Sequence, residues 1–243
     1  KINFYYILNF YIYKMIKKWS EFSINELVGV KRIKDVEKFY KRRCNPNIHH
    51  PDTVGWLDKQ SQDSRFEIFT QFINEDDSIL DYGCGVGDLY KYLQSKYEKF
   101  EYLGVDIQKG MIENAYKKYP DATFKPVRGI EEIKEKFDWT VASGVFTINM
   151  NRKDVLNFFR KASNISTKGV MANFLRTSDL FSKIDTTMDV DSLSPQHRYT
   201  QYNMGLLKKY LEKNLRKELI CIDEYKDIRS GDRDFTLILR KQS

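Results

Sequence analysis

From Ser78 onward the chain alternates between two hydrophobic rhythms. Short apolar runs at Ser78–Tyr82, Tyr102–Asp106, Thr123–Lys125, Trp139–Ser143, Gly169–Leu175, Leu219–Tyr225 and Phe235–Arg240 read as strands. Between them, helical patterns open near Asp88, Lys109, Arg152 and Asn203. In the third of these, Val155, Leu156, Phe158, Phe159 and Ala162 form one apolar face. This alternation predicts an α/β fold: a doubly wound, mostly parallel seven-stranded sheet with helices on both faces. One connection breaks the rhythm. The polar stretch from Arg176 to Gln201 is too long for an ordinary link and is expected to be functional or mobile. Upstream, helical patterns at Ile33–Tyr40 and Arg65–Ile73 flank a loop with Cys44, His49, His50, Pro51, Gly55 and Trp56. Residues 15–74 are read as an N-terminal helical cap, and residues 75–243 as the main domain.

The stretch Ile79-Leu80-Asp81-Tyr82-Gly83-Cys84-Gly85-Val86-Gly87-Asp88 carries the first chemistry. A strand ends in an acid, a glycine loop follows, and a helix begins. In a doubly wound sheet this is where a nucleotide-like cofactor lies against bare backbone. The third glycine of the dinucleotide fingerprint G-x-G-x-x-G would fall at Asp88, so the spacing here is different. An acid in the first helical turn also opposes a pyrophosphate. Asp81 and Asp88 together favour a cofactor with a positive end, such as the α-ammonium and sulfonium of S-adenosylmethionine. Asp106 stands about 20 residues beyond the glycines, where a carboxylate accepts both ribose hydroxyls. Ile107 is placed to lie against the adenine.

On these residues the chain resembles the class I S-adenosylmethionine-dependent methyltransferases. The matching segments are Leu80–Gly87, Gly104-Val105-Asp106-Ile107 and Phe137–Phe146, and the resemblance runs over roughly residues 60–243. It implies a Rossmann-like methyltransferase fold whose last two strands form a reversed hairpin at the sheet edge. It further implies that the glycine loop (Gly83, Gly85, Gly87) and Asp81 hold the methionine end, that Asp106 holds the ribose, and that Ser143 and Phe146 close over the reacting centre. The family often has an acid after the third strand, near the adenine amino group. Here the segment is Val127-Arg128-Gly129-Ile130-Glu131, which leaves the adenine to backbone groups of Gly129 and Ile130.

Methyl transfer from a sulfonium needs alignment, plus a base when the nucleophile is a hydroxyl. Of His49, His50 and His197, only His197 falls on the carboxyl side of the sheet, and it is the candidate base. Arg176, Arg198 and Tyr199 share its stretch and are candidates for holding an anionic acceptor. Adjacent histidines on an extended loop point apart, so His49 and His50 read as cap residues and no metal is expected. Arg65 pairs either with the cofactor carboxylate or with Glu67 or Asp63. The net charge of +7 fits anionic substrates, nucleic acid or a membrane surface, yet no basic block is concentrated anywhere, and lysines scattered over solvated faces account for it.

After the fourth strand, Ser143-Gly144-Val145-Phe146 replaces the Asn/Asp-Pro-Pro-aromatic grip used on flipped bases, which disfavours nucleic acid. The favoured acceptor is therefore a small polar or anionic molecule, a hydroxyl before an amine. An RNA or protein methyltransferase and a non-catalytic cofactor-binding protein are the alternatives. Three cysteines without pairing or metal spacing point to a reducing cytoplasm. Ile2–Tyr13 is uncharged but shorter than the ~20 residues that span a bilayer. Met15 followed by Ile16-Lys17-Lys18-Trp19 reads as an ordinary start, so residues 1–14 are expected to be a dispensable arm, with a packed helix as the other reading.

Overall fold

The computed structural model describes residues 59–147, 150–176, 188–189, 200–226 and 233–241, all within the compact unit Glu37–Ser243. Strands β1 (Ser78–Tyr82), β2 (Glu101–Asp106), β3 (Thr123–Pro126), β4 (Phe137–Ala142), β5 (Ser166–Leu175), β6 (Ile220–Lys226) and β7 (Arg233–Arg240) form one seven-stranded sheet. Its order is β3-β2-β1-β4-β5-β7-β6. The first five strands are parallel, and β7 runs antiparallel to both β5 and β6, as expected of the terminal hairpin. Strand order reverses beside β1, which makes the carboxyl ends of β1 and β4 the place for a ligand.

Helices α1 (Lys59–Thr70), α2 (Asp88–Gln94), α3 (Lys109–Lys118), α4 (Arg152–Ile165) and α5 (Met204–Leu215) complete the layers. Phe66 and Phe69 of α1 and Leu89 and Leu93 of α2 pack on Ile79, Val141, Met171 and Ile238. On the other face, Val155, Phe159 and Ala162 of α4 and Leu207 and Leu211 of α5 cover Ala142, Val170, Ala172 and Leu237. Neighbouring strand residues alternate between these two cores, as a sheet buried on both faces requires.

Local chemistry sets the helix starts. Asn151 caps α4 by accepting the Lys153 and Asp154 N–H groups, and Asp154 accepts the Asn151 N–H in return. Asn203 caps α5 through the Leu206 N–H.

One helix differs from its pattern. The apolar spacing placed it at Arg65–Ile73, but α1 begins at Lys59 and ends at Thr70. Its first turns bury Ser61, Gln62 and Arg65, so the inward face is polar and a hydrophobic period cannot mark it. Of the proposed cap, only this helix and the turn after it lie in the described residues; the Ile33–Tyr40 pattern, His49, His50 and residues 1–14 lie outside them. No helix among the described residues is long and apolar enough to cross a membrane.

Candidate active site

The glycine loop is built by hydrogen bonds to the next strand. The N–H groups of Gly83 and Cys84 both donate to the carbonyl of Val105, at 2.7 and 3.0 Å. Gly83, Gly85 and Gly87 have φ of 81°, 55° and 82°, the left-handed region that a side chain resists. A Cβ on Gly83 would also sit 2.4 Å from Cγ2 of Val145. That near-contact shows the turn after β4 packed against the glycine loop at Gly83; the two turns flank the cleft expected at the carboxyl ends of β1 and β4.

Asp106 closes one end of this cleft. Its Oδ2 accepts the Gly85 N–H at 3.0 Å and its Oδ1 accepts the Gln108 N–H at 2.8 Å, so strand, loop and α3 together fix the carboxylate. Burial raises its pKa above the usual carboxylate range despite those backbone donors. Beside it, Nε2 of Gln108 is buried without a hydrogen-bond partner among the described residues. A fixed carboxylate with spare lone pairs and an orphaned donor match the needs of vicinal hydroxyls. Ile107 follows, half-buried.

Asp81 lies deeper, 2% exposed, and accepts the Tyr102 hydroxyl at 2.7 Å. Burial pushes its pKa up to about 7, with the Tyr102 bond opposing and the charges of Asp106 and Asp88 adding to the rise. The folded, ligand-free chain therefore binds a proton here that the unfolded chain releases near pH 4. Stability from this group is greatest below pH 4 and falls as pH rises to about 7. Asp81→Asn should flatten that decline, adding a few kcal/mol at pH 8 in urea unfolding of the ligand-free chain; an unchanged pH slope would refute it. Asp88 does not join this group. Its carboxylate takes Lys118 Nζ at 2.9 Å and Gln62 Nε2 at 3.1 Å, so the positive-end argument rests on Asp81 and not on Asp88.

The turn after β4 is held from β5. The Asn173 Oδ1 accepts the Gly144 N–H at 2.9 Å, and its Nδ2 donates to Oγ of Ser143 at 3.1 Å. Ser143 is half-buried and held by Asn173 at the carboxyl end of β4, whereas Phe146 turns inward. Phe146 is buried, stacked on Phe174 at 5.2 Å and edge-on to Phe158 at 5.1 Å, so it is a core residue whose apolar ring is drawn into the α4 side. Gly129 precedes a short 3-10 turn, Ile130–Glu132; the Ile130 side chain belongs to the α4-side core, and the Glu131 carboxylate lies over Gly129, where a Cβ would meet it at 2.7 Å.

Arg65 has neither of its expected surface partners. It is buried, paired with Asp234, and donates to the carbonyl and hydroxyl of Ser61 at 3.0 Å each. Glu67 and Asp63 pair instead with Lys96 and Lys59.

Arg176 stands just beyond β5. Its guanidinium lies 5.9 Å from the Phe235 ring centre, and its Nη2 is 3.0 Å from Sδ of Met204. His197, Arg198 and Tyr199 lie outside the described residues. The stretch containing them returns beside its own start: the Tyr202 N–H donates to Leu175 O at 2.8 Å, and Arg176 bridges to Tyr202. The Tyr202 hydroxyl then donates to the carbonyls of Phe146 and Met150, at 3.2 and 3.0 Å. Met188–Asp189 pairs with Thr200–Gln201 within it. Both ends of the stretch are thus anchored at the carboxyl end of the sheet.

A separate open cleft of about 770 Å³, lined by Tyr90, Gln94, Tyr97, Phe100 and Asp121 among others, precedes β2 and so opens at the opposite end of the strands.

Sequence reasoning missed Asn173, Tyr102 and Gln108. Asn173 had a signal, as a lone polar residue in the apolar run Val170–Leu175; the other two had none.

Residues 79–169 match the profile of the methyltransferase domain family. A malonyl-[acyl-carrier protein] O-methyltransferase from Priestia megaterium is 35% identical over 114 residues, covering 45% of this chain and 42% of that protein. The chain thus spans less than half the length of the curated relatives it matches. Among solved structures, magnesium protoporphyrin IX methyltransferase from Synechocystis PCC 6803 with bound SAH superposes with a TM-score of 0.60 at 15% identity, over 84% of this chain and 94% of that one. An S-adenosylmethionine-dependent methyltransferase from Methanosarcina mazei gives 0.55 at 19% identity, over 72% and 96%. At such identities the likeness is one of fold, and the fold is the Rossmann-like methyltransferase fold.

Proposed function

We propose that this chain, whose residues 79–169 match the methyltransferase domain family, binds S-adenosylmethionine in the class I manner and transfers its methyl group to an oxygen of a small polar or anionic acceptor. The observation that carries the reading is the pinned arrangement of Gly83, Gly85 and Asp106, with the buried Asp81 behind it. The fit is good at each point. The positive φ at Gly83, Gly85 and Gly87 goes with a loop of bare backbone, Asp106 and Gln108 offer an acceptor and a donor for ribose hydroxyls, and Asp81 offers a carboxylate for an ammonium.

The bound cofactor supplies a methyl on a sulfonium, already primed for in-line displacement. The protein is left to align and to manage one proton. Asp106 orients the adenosine end, Asp81 and the glycine loop the amino-acid end, and the Ser143–Gly144 turn limits the approach from the other side. The 176–201 stretch, anchored at both ends beside that turn, forms the acceptor side. Arg176 opens it, Arg198 and Tyr199 hold the anionic group, and His197 takes the proton of a hydroxyl. Oxygen as the target draws support from the O-methyltransferase relative, and an anionic acceptor from the arginines.

His197→Ala should slow transfer at least tenfold while leaving S-adenosylmethionine affinity unchanged, since a general base contributes typically ~10²–10⁴; a normal rate with the true acceptor removes it from the mechanism. The reading as a whole is tested by transfer of labelled methyl from S-adenosylmethionine into separate pools of carboxylate and hydroxyl metabolites, carrier-protein conjugates and RNA. Label in a small-molecule pool supports it. Label confined to RNA or protein would replace it.

A further inference from the structure

We infer that Asn173 is a positioning residue for this site: it fixes the hydroxyl of Ser143 as a hydrogen-bond donor into the cleft, aimed at the carboxylate of the cofactor's amino-acid end. The inference rests on the cofactor reading above.

The argument begins with the amide orientation. The Gly144 N–H can only donate, so the Asn173 atom 2.9 Å away must be the oxygen. Nδ2 is then the atom 3.1 Å from Ser143 Oγ, and an amide nitrogen can only donate. Ser143 Oγ therefore accepts, and its own hydrogen must go to a third group. Asn173 is 2% exposed on a central strand and cannot turn over without breaking both bonds. Ser143 is half-buried and so keeps an open side, and the turn it begins packs against the glycine loop through Val145; we place that open side on the loop's side.

Charge decides what lies there. On the same sheet face Asp81 sits opposite Val141, two residues before Ser143, and it offers acceptors for an ammonium. A hydroxyl hydrogen needs an acceptor, which an ammonium lacks and the neighbouring carboxylate provides. Arg65, the obvious cationic partner for that carboxylate, is buried against Asp234.

Asn173→Asp retains shape and the Gly144 contact but replaces the donor with an acceptor, turning the Ser143 hydrogen away from the cleft. Calorimetry with S-adenosylhomocysteine, and with 5′-methylthioadenosine, which lacks the amino-acid end, is run on the unsubstituted chain, Asn173→Asp, Ser143→Ala and the double variant, each checked by thermal melting. Each single change should weaken S-adenosylhomocysteine binding about tenfold or more, the double no further, and methylthioadenosine binding should not move. The inference is overturned if Asn173→Asp acts equally in the Ser143→Ala background, or if methylthioadenosine weakens in parallel. If Asn173→Asp does not fold, Ser143→Ala decides alone, and unchanged S-adenosylhomocysteine affinity overturns the inference. Failure of the unsubstituted chain to bind either compound overturns the cofactor reading, and this inference with it.

Discussion

Asp106→Ala should lower affinity for S-adenosylmethionine by at least about a hundredfold. The carboxylate is expected to accept two ribose hydroxyls, and hydrogen bonds to a charged group contribute ~1.5–3 kcal/mol each. The same substitution frees the N–H groups of Gly85 and Gln108, which Asp106 now satisfies, so the glycine loop loses its anchor as well as its ligand. Asp106→Asn separates the two effects. It keeps an acceptor for part of the loop contact but one side of the amide can only donate, and it should fall between the parent and the alanine variant. Unchanged calorimetric affinity in Asp106→Ala would remove this residue from the site.

The second large effect concerns stability. Arg65 and Asp234 form a buried pair in which α1 is tied to the first residues of β7, at a point where Asp234 stands beside Leu175 of β5. Removing one partner takes a counter-ion from a buried charge, at a cost of up to ~3–5 kcal/mol. Asp234→Ala should therefore lower the melting temperature by roughly 10 °C, at the ~2–4 °C per kcal/mol usual for a chain of this size. Replacing both partners by apolar residues of similar volume should recover most of the loss. The experiment also separates the two roles open to Arg65. A structural role predicts that Arg65→Met costs stability to a similar degree as Asp234→Ala. A direct ligand role predicts normal stability and a selective loss of S-adenosylmethionine affinity, and that outcome would overturn the structural assignment.

These two residues mark where the sequence was legible and where it was not. The strand pattern and the starts of α2 to α5 follow from apolar periodicity, because the sheet is buried on both faces and its strands read as apolar runs, whereas the reversed terminal hairpin was implied by the family resemblance. The placement of Asp81, the glycine loop and Asp106 at the carboxyl ends of β1 and β2 was legible for a different reason: it is held within a strand, a turn and the next strand end. What depended on long-range packing was not legible. Arg65 finds Asp234, 169 positions away, and Asn173 reaches the turn after β4, 29 positions away at Gly144. Neither distance leaves a trace in spacing. Phe146 shows the converse error. Its place after the fourth strand pointed to the cleft, but an aromatic side chain next to Phe158 and Phe174 gains more from burial than from lining a site. The first turns of α1 were hidden because their inward face is polar, and that polarity belongs to the same layer that carries Asp81, Asn173 and Asp234.

His197, Arg198 and Tyr199 lie outside the described residues, in the stretch that links Arg176 to Gln201. The anchoring of both ends of their stretch at the carboxyl end of β5 is what connects them to the chemistry.

The cofactor is the premise on which everything else depends. Calorimetric titration of the unsubstituted chain with S-adenosylmethionine, and in parallel with NAD, tests it directly. Saturable one-to-one binding of S-adenosylmethionine, tighter at pH 8 than at pH 6 because the proton on Asp81 must leave before an ammonium can take its place, with no binding of NAD, is the predicted result. No heat with S-adenosylmethionine, or saturable binding of NAD instead, would contradict the account.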